Sequence, residues 1–356
     1  MPGFDIPNAY SLRAVIRESN GDLRGADSDY AAATAAYEKT AGEAHFLTLQ
    51  NVGLHGMTLV ELGQRDRGLQ MIETSTALLA KTRAGSNTHA AAVERLGIAY
   101  VLVGSFERAA PLLEEARSLL GTRHDDLVRT GPTVSLAVAR AEGGRYQEAR
   151  ALLDEALAVR RDRAHVSQLP VAEVHLTRGL IALDETDATM ARTELEQAIT
   201  LSSTRTRGDL SRRALAYAGL ATAAQLVGDG DAARAAADRA GTFAAEPSLT
   251  QIPLLQATVL EAKGTSLCRS GRADEGEPLL ASVAASEAEL FSPGSPLLAR
   301  AWLLHAECLV ALGRIGEARA RVEAAGHLLG PEGTAPHLRS LLVNVRARLG
   351  TTGAGK

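Results

Sequence analysis

The chain has 356 residues, of which 46% are hydrophobic, 22% charged and only 3% aromatic. This length suffices for two average domains or for one extended repeat array. Ala and Leu are good helix formers, and the β-branched and aromatic strand formers are scarce, so the composition argues against an all-β fold. The 38 basic and 42 acidic residues leave a net charge of -4. This balance lacks the basic footprint of a dedicated nucleic-acid-binding protein.

The N-terminus and the two cysteines indicate the compartment. The first residues show no basic leader followed by an apolar run, and no segment approaches the ~18 uncharged residues that a bilayer crossing needs. Cys268 and Cys308 are too few for a disulfide framework in a chain of this length, so each is expected to be a buried thiol. Only four of the 38 basic residues are lysines, which indicates GC-rich bacterial coding. We therefore predict a cytoplasmic bacterial protein without membrane contact.

In chain order, the sequence repeats a helix, a turn and a second helix about every 42 residues. The predicted turn residues are Gly21, Gly63, Gly104, Gly144, Thr186, Gly228, Gly271 and Gly313. Five residues after each turn comes a small residue, namely Ala26, Gly68, Ala109, Ala149, Ala191, Ala233, Gly276 and Ala318. A small residue in the second helix lets the first helix approach closely. The pattern predicts eight helix pairs.

The segments Leu96 to Ala116 and Leu136 to Ala156 show the repeat most clearly. Their pattern resembles the tetratricopeptide (TPR) repeat, with Leu-Gly and Tyr on the first helix, a turn glycine, and Ala on the second. The longer spacing is similar to that of kinesin light chains and MalT-like bacterial sensor superhelices. The resemblance implies an all-α fold, a right-handed TPR-like α-solenoid of about eight helix pairs.

The ends and breaks of the pattern set the domain boundaries. Thr186 replaces a turn glycine, and residues 200–209 are polar and poor in helix formers. The segment 336–349 has leucines and a valine at helical spacing with arginines between them, as a terminal capping helix should. We predict one solenoid over residues 1–350, including the cap helix at 336–349, and a disordered tail over 351–356.

Motifs that would indicate catalysis or metal binding are missing from the sequence. The nine histidines never adopt a metal-ligand spacing on one helix face. Gly228 to Gly230 suggests a dinucleotide loop but joins two helices with no preceding strand. Gly350 to Lys356 has phosphate-loop spacing but ends before the Ser or Thr that would hold magnesium. We predict no enzymatic activity, no cofactor and no metal.

In TPR proteins the first helices line a concave groove, so the resemblance places contact positions on this sequence. The candidate ligand-binding residues are Glu94, Ile98, Val138, Glu142, Leu176, Leu180, Asp184, Thr222, Gln225, Glu261, Thr265 and Arg269. The acids expected in the groove are Glu18, Glu61, Glu94, Glu142, Glu173, Asp184, Glu261 and Glu307, against the bases Arg269 and Arg300. An alternative is that acids at helix ends are merely solvated. The groove is therefore predicted to be apolar with acidic spots that face solvent.

Three functions compete. The first is a non-enzymatic scaffold that binds a protein or peptide segment, amphipathic and basic to match the groove. The second is a small-ligand or signal-peptide sensor domain of a bacterial regulatory system, similar to MalT-like or peptide-sensing families. The third is an enzyme on a helical-repeat scaffold. Nucleic acid and membrane are not expected as partners, and self-association is left open.

Overall fold

The computed structural model of the chain describes residues 3–121, 130–161, 169–329 and 335–353. Over these ranges the chain forms seventeen α-helices and no strand. The helices are α1 (Asp5–Ser19), α2 (Leu23–Ala41), α3 (Phe46–Glu61), α4 (Arg65–Arg83), α5 (Asn87–Leu102), α6 (Phe106–Gly121), α7 (Thr130–Glu142), α8 (Tyr146–Arg161), α9 (Leu169–Asp184), α10 (Ala188–Leu201), α11 (Arg207–Leu226), α12 (Gly230–Ala244), α13 (Pro253–Arg269), α14 (Ala273–Leu290), α15 (Pro296–Ala311), α16 (Ile315–Leu329) and α17 (Pro336–Gly353). They pack as the eight predicted pairs, followed by α17 as a cap.

All eight predicted turn residues adopt the left-handed backbone conformation that closes a helix end. Their φ angles run from 61° at Thr186 to 85° at Gly21. A residue without Cβ adopts this region with little strain, which explains glycine at seven of the eight turns. Thr186 is the exception and holds the same conformation with a β-branched side chain.

Glycine on the first helix makes room for a leucine from the second helix. A Cβ placed at Gly97 would lie 2.7 Å from Leu113 Cγ, and one at Gly179 would lie 2.6 Å from Leu195 Cγ. Both leucines are fully buried. The predicted small residues on the second helices are equally close to their partners: a Cβ at Gly68 would lie 2.6 Å from the carbonyl oxygen of Gly56, and Ala109 has no exposed surface. The Leu-Gly signature therefore reflects close helix packing within each pair.

The units fan out into a curved superhelix. First helices of neighbouring units contact one another, as α3 does α5 and α11 does α13, whereas second helices pack chiefly on the first helices of their own and the next unit. Because the first helices crowd together, they form the inner layer and the second helices form the outer layer. This arrangement agrees with the groove predicted from the sequence.

The curvature brings the superhelix back onto itself, and we call this contact the seam. The amide of Ser292, before α15, donates to the carbonyl of Val103 at 2.8 Å. The amide of Ala335, before α17, donates to the carbonyl of Glu142 at 3.1 Å. The turn glycines of the first four units lie at the seam, since a Cβ on any of them would come within 3.1 Å of a residue about five units later in the solenoid. We call α1 to α9 the first superhelical turn and the remaining helices the second.

Two sequence expectations need correction. Cys268 and Cys308 are not separate thiols but form a disulfide, with 5.3 Å between their Cα atoms, which joins α13 to α15. The cap helix continues to Gly353 instead of ending at 349, so residues 351–353 are helical, and residues 354–356 of the expected tail lie outside the described residues. Disulfides are uncommon in the cytosol, so this bond does not favour the predicted cytoplasmic location. None of the described helices could cross a membrane.

Candidate functional site on the inner face

A cluster of carboxyl groups surrounds one arginine on the inner face of the superhelix. This Arg300 cluster consists of Arg300 on α15, Glu261 on α13, Glu287 on α14, Glu142 at the end of α7 and Asp184 at the end of α9. Arg300 Nε lies 3.3 Å from Glu261 Oε1. The seam gathers these residues: it sets the end of α7 beside the start of α17, and the charges of Glu142 and Asp184 act on Arg300.

The positions of the acids explain why an arginine is needed there. The C-terminal end of a helix carries partial negative charge, so carboxylates at that end are destabilised unless a cation lies near them. Arg207, at the start of α11, supplies the cation for the helix ends of the first two units. It forms an ion pair with Glu61 and donates from Nη1 to the carbonyl of Glu18 at 3.3 Å. Several acids predicted for the groove therefore also hold the seam together.

Several carboxylate oxygens of the Arg300 cluster have no hydrogen-bond donor among the described residues, and the one buried donor left over there is Arg300 Nε, 3.3 Å from Glu261 Oε1. Glu142 Oε2, Glu261 Oε2 and both oxygens of Glu287 are buried and accept no hydrogen bond from any described residue. Glu287 has no exposed surface at all, whereas Arg300 keeps 30% of its side chain accessible. A buried acceptor without a donor costs about 1 to 3 kcal/mol. The cluster is thus suited to accept a further cation or a set of N–H donors.

Protonation offsets part of this imbalance. Burial raises the pKa of Glu287 to about 8, and neighbouring Glu261 adds to the effect. Burial, followed by the charge of Glu142, raises the pKa of Asp184 well above its usual range. The pKa of Glu142 is also raised by burial. Glu287 consequently keeps its proton at neutral pH, and a cation bound beside it would favour release of that proton.

The cap helix contributes a neutral histidine beside the cluster. His337 Nε2 lies 3.5 Å from Asp184 Oδ1, and Tyr146 Oη lies 3.3 Å from His337 Nδ1. Burial, together with the charge of Arg300, lowers the pKa of His337 to about 4. The imidazole is therefore uncharged at neutral pH and contacts Asp184 as a polar group. Sequence reasoning missed it because α17 has no repeat register.

The apolar strip expected beside these acids is only partly available to a ligand. Leu176 is 2% exposed and belongs to the core, so its assignment as a contact residue is wrong. Ile98 and Val138 are half-buried and pack against a core cluster. Leu180 alone of the four is open, at 39% exposure. The expectation that the acids face solvent is also wrong, since Glu142 and Asp184 are largely enclosed.

The remaining predicted residues follow the inner face towards the C-terminal end. Thr265 is 6% exposed, one helical turn from Glu261 and one from Arg269 on the same face of α13. Gln225 and Arg269 line a cavity of about 550 Å³, and Thr222 lies one turn before Gln225 on α11. Glu94, on α5, lies apart from the Arg300 cluster, and burial raises its pKa.

Comparison with known proteins identifies the fold. No protein-family model and no curated protein matches the sequence. A Rap protein complexed with Competence and Sporulation Factor superposes with a TM-score of 0.62 at 13% identity, covering 97% of this chain and 99% of that chain. A tetratricopeptide repeat protein from Parabacteroides merdae gives a TM-score of 0.46 at 14% identity over 84% of this chain and 98% of its own. Kinesin light chain TPR-like repeats from Podosopora anserina give 0.42 at 22% identity over 56% and 97%.

The likeness to the Rap protein extends over nearly the whole of both chains. At 13% identity it concerns the fold, and it confirms the TPR-like α-solenoid predicted from the repeat.

Proposed function

We propose that this chain is a non-enzymatic scaffold that binds a basic, amphipathic protein or peptide segment along its inner face. The observation that carries the proposal is the unsatisfied Arg300 cluster, in which the charges of four carboxyl groups act on one guanidinium and four of their oxygens have no donor among the described residues. A Lys or Arg side chain would supply both the missing charge and the missing N–H groups.

The surroundings of the cluster define the rest of the segment. Leu180, on the same helix as Asp184 and one turn before it, is exposed and offers an apolar contact beside the acids. Apolar burial would supply affinity, and opposite charge would steer association. A segment with a basic residue about one helical turn from an aliphatic residue therefore fits this part of the inner face.

A second candidate function is a sensor domain of a regulatory system, and the seam favours it. A ligand at the Arg300 cluster would touch α7 and α9 in the first superhelical turn and α13 and α15 in the second. Binding there would change how strongly the two superhelical turns hold together. A ligand that binds the closed and the opened seam with different affinity can act as a switch. The Rap protein of the same fold is complexed with a factor, so the architecture is compatible with ligand binding.

Calorimetric titration with a cationic amphipathic peptide tests the proposal. We expect the double variant Glu142→Gln/Asp184→Asn to bind at least tenfold more weakly than wild type, and added salt to weaken wild-type binding. The control is Glu289→Gln, an exposed acid two residues from Glu287 on α14. Repeating the titration in buffers of different ionisation enthalpy should reveal proton release. Equal affinity of the double variant and the control would contradict the proposal.

The same complex separates scaffold from sensor. If the chain is a sensor, ligand binding should change hydrogen exchange of the seam amides of Ser292 and Ala335, which bond across the two superhelical turns. If it is a scaffold, the peptide should protect only the inner face. An enzyme on this scaffold, the third hypothesis, has no observation in its favour among the described residues.

A further inference from the structure

A second polar site lies at the C-terminal end of the inner face. The cavity of about 550 Å³ is bounded by the turn after α11, by α13, by α15 and by the cap helix α17. We call it the Arg269 pocket, and its polar lining includes Arg269, Glu307, Arg348, Gln225 and Ser266. None of the interactions described for the Arg300 cluster uses these side chains.

Two guanidinium groups meet in this pocket. Arg269 Nη2 donates to Glu307 Oε2 at 2.7 Å, and Arg348 Nη1 donates to Glu307 Oε1 at 2.8 Å. The Glu307 carboxylate therefore holds both arginines side by side in the pocket. Arg348 keeps 58% of its side chain exposed and Arg269 32%, so both retain surface for a ligand.

Two neutral donors in the pocket have no partner among the described residues. Arg269 Nη1 donates to Gln225 Oε1 at 2.9 Å, which leaves the amide nitrogen of Gln225 buried and unpaired. Ser266 is 3% exposed, lines the cavity, and its hydroxyl also lacks a partner. A buried donor without an acceptor costs free energy. Both groups therefore indicate that a ligand in the pocket supplies a hydrogen-bond acceptor.

The chemistry of the lining selects the class of ligand. The unpaired amide of Gln225 and hydroxyl of Ser266, beside two guanidinium groups, call for an anion, and a carboxylate has two oxygens that accept from such donors. Part of the wall is apolar, formed by Leu226, Leu341 and Val345. The cavity is also larger than a carboxylate alone requires. We propose that the Arg269 pocket binds a carboxylate that carries a compact aliphatic group.

Such a group is found in a small aliphatic acid and at the C-terminus of a peptide that ends in an aliphatic residue. For the peptide, the site extends the function proposed above and rests on it. Glu261, Thr265 and Arg269 lie at intervals of four residues on α13, so the acidic and basic sites are about 12 Å apart along one helix face. That distance is spanned by about four extended residues. A pentapeptide with a basic first residue and a free C-terminal leucine would reach both sites.

The first experiment tests the pocket without the peptide. 4-Methylpentanoate and its uncharged amide are titrated against wild type, Arg269→Gln and Ser266→Ala, with Arg319→Gln as control because Arg319 is an exposed arginine on α16. We expect the acid alone to bind, at least tenfold more weakly in Arg269→Gln and unchanged in Arg319→Gln. Melting curves verify that each variant is folded. Equal binding of acid and amide, or equal binding to Arg269→Gln and wild type, would overturn the proposal.

The second experiment distinguishes the two sources. The pentapeptide Arg-Ala-Ala-Ala-Leu is compared with its C-terminally amidated form. If the ligand is a peptide, the free carboxylate should strengthen binding at least tenfold, and Arg269→Gln should abolish that gain. If 4-methylpentanoate binds but the two peptides bind alike, the pocket takes a small acid. If the peptides bind alike and 4-methylpentanoate does not bind, the carboxylate site is wrong while the peptide scaffold stands.

Discussion

The turn glycines form two groups although they occupy one position of the repeat. In the first superhelical turn, a Cβ at Gly21 would lie 2.2 Å from the carbonyl oxygen of Ser248, and one at Gly104 would lie 2.0 Å from Ser295 Oγ. In the second turn, a Cβ at Gly271 or Gly313 would meet no described atom within 4 Å. All four share the left-handed backbone. The repeat motif thus predicts the left-handed backbone at each turn. It does not predict that the glycines at the seam also leave no space for a Cβ.

The largest effect is expected from Gly21→Ala, for which Gly271→Ala is the matched control. The two residues have φ angles of 85° and 83°, so alanine costs about 1 to 2 kcal/mol of backbone strain at either position. At Gly21 the methyl group also collides with the backbone of Ser248, which should raise the loss of unfolding free energy to about 3 to 5 kcal/mol. Urea unfolding measures both, and equal losses would mean that the seam does not form.

A disulfide joins two neighbouring units in the second superhelical turn. The bond between Cys268 and Cys308 closes a loop with a sequence separation of 40. A link of this length should contribute about 2 to 4 kcal/mol by restricting the unfolded chain. Reductant should therefore lower the melting temperature of wild type and leave the double variant Cys268→Ala/Cys308→Ala unaffected. A wild-type protein that melts alike with and without reductant would show that the bond is absent.

How far the sequence predicts this molecule depends on the range of each interaction. The turn at Gly63 and the buried Ala109 follow from local conformation and from packing within one unit, so the repeat period predicts them. The Arg300 cluster depends on residues from α7 to α15 that only the superhelical curvature brings together. For the same reason the repeat places Leu176 on the contact surface although it is buried, because one helix face cannot reveal which residues the next unit covers.

The disulfide illustrates the same limit. Forty residues separate Cys268 from Cys308, about one repeat, so both cysteines fall at neighbouring registers of two first helices. A spacing of one repeat indicates that the two cysteines lie close together, which their number alone does not. First helices of adjacent units contact one another, and equivalent positions on them lie close enough for a disulfide.

The third prediction concerns pH and the second superhelical turn. Glu287, on α14, has a pKa of about 8, while an unfolded glutamate titrates near 4.5. The folded state therefore holds a proton that the unfolded state has lost between these values, and stability should fall as pH rises from about 4.5 to 8. Burial raises the pKa of this carboxyl most, Glu261 raises it further, and Arg300 lowers it.

Glu287→Gln removes that proton equilibrium. Each pKa unit corresponds to about 1.4 kcal/mol, and we expect the variant to gain about 1 to 3 kcal/mol over wild type at pH 8 relative to pH 5. Chemical unfolding at both pH values measures the difference, with the exposed Glu289→Gln as control. The same pH dependence in all three proteins would show that Glu287 ionises normally and that the Arg300 cluster is hydrated.

The smallest effect is expected at the turn between the two groups of glycines. Thr186 has a φ of 61° and is exposed. Its side chain is therefore not packed at the seam, and only its backbone conformation is unfavourable. A left-handed β-branched residue costs about 1 to 2 kcal/mol, and part of the gain from glycine is lost to the greater freedom of the unfolded chain. Thr186→Gly should therefore stabilise the protein by about 1 kcal/mol. Thr189→Gly, in the first turn of α10, should destabilise it by a similar amount, because glycine weakens a helix. Two variants that shift the melting temperature in the same direction would mean that Thr186 does not take the place of a turn glycine.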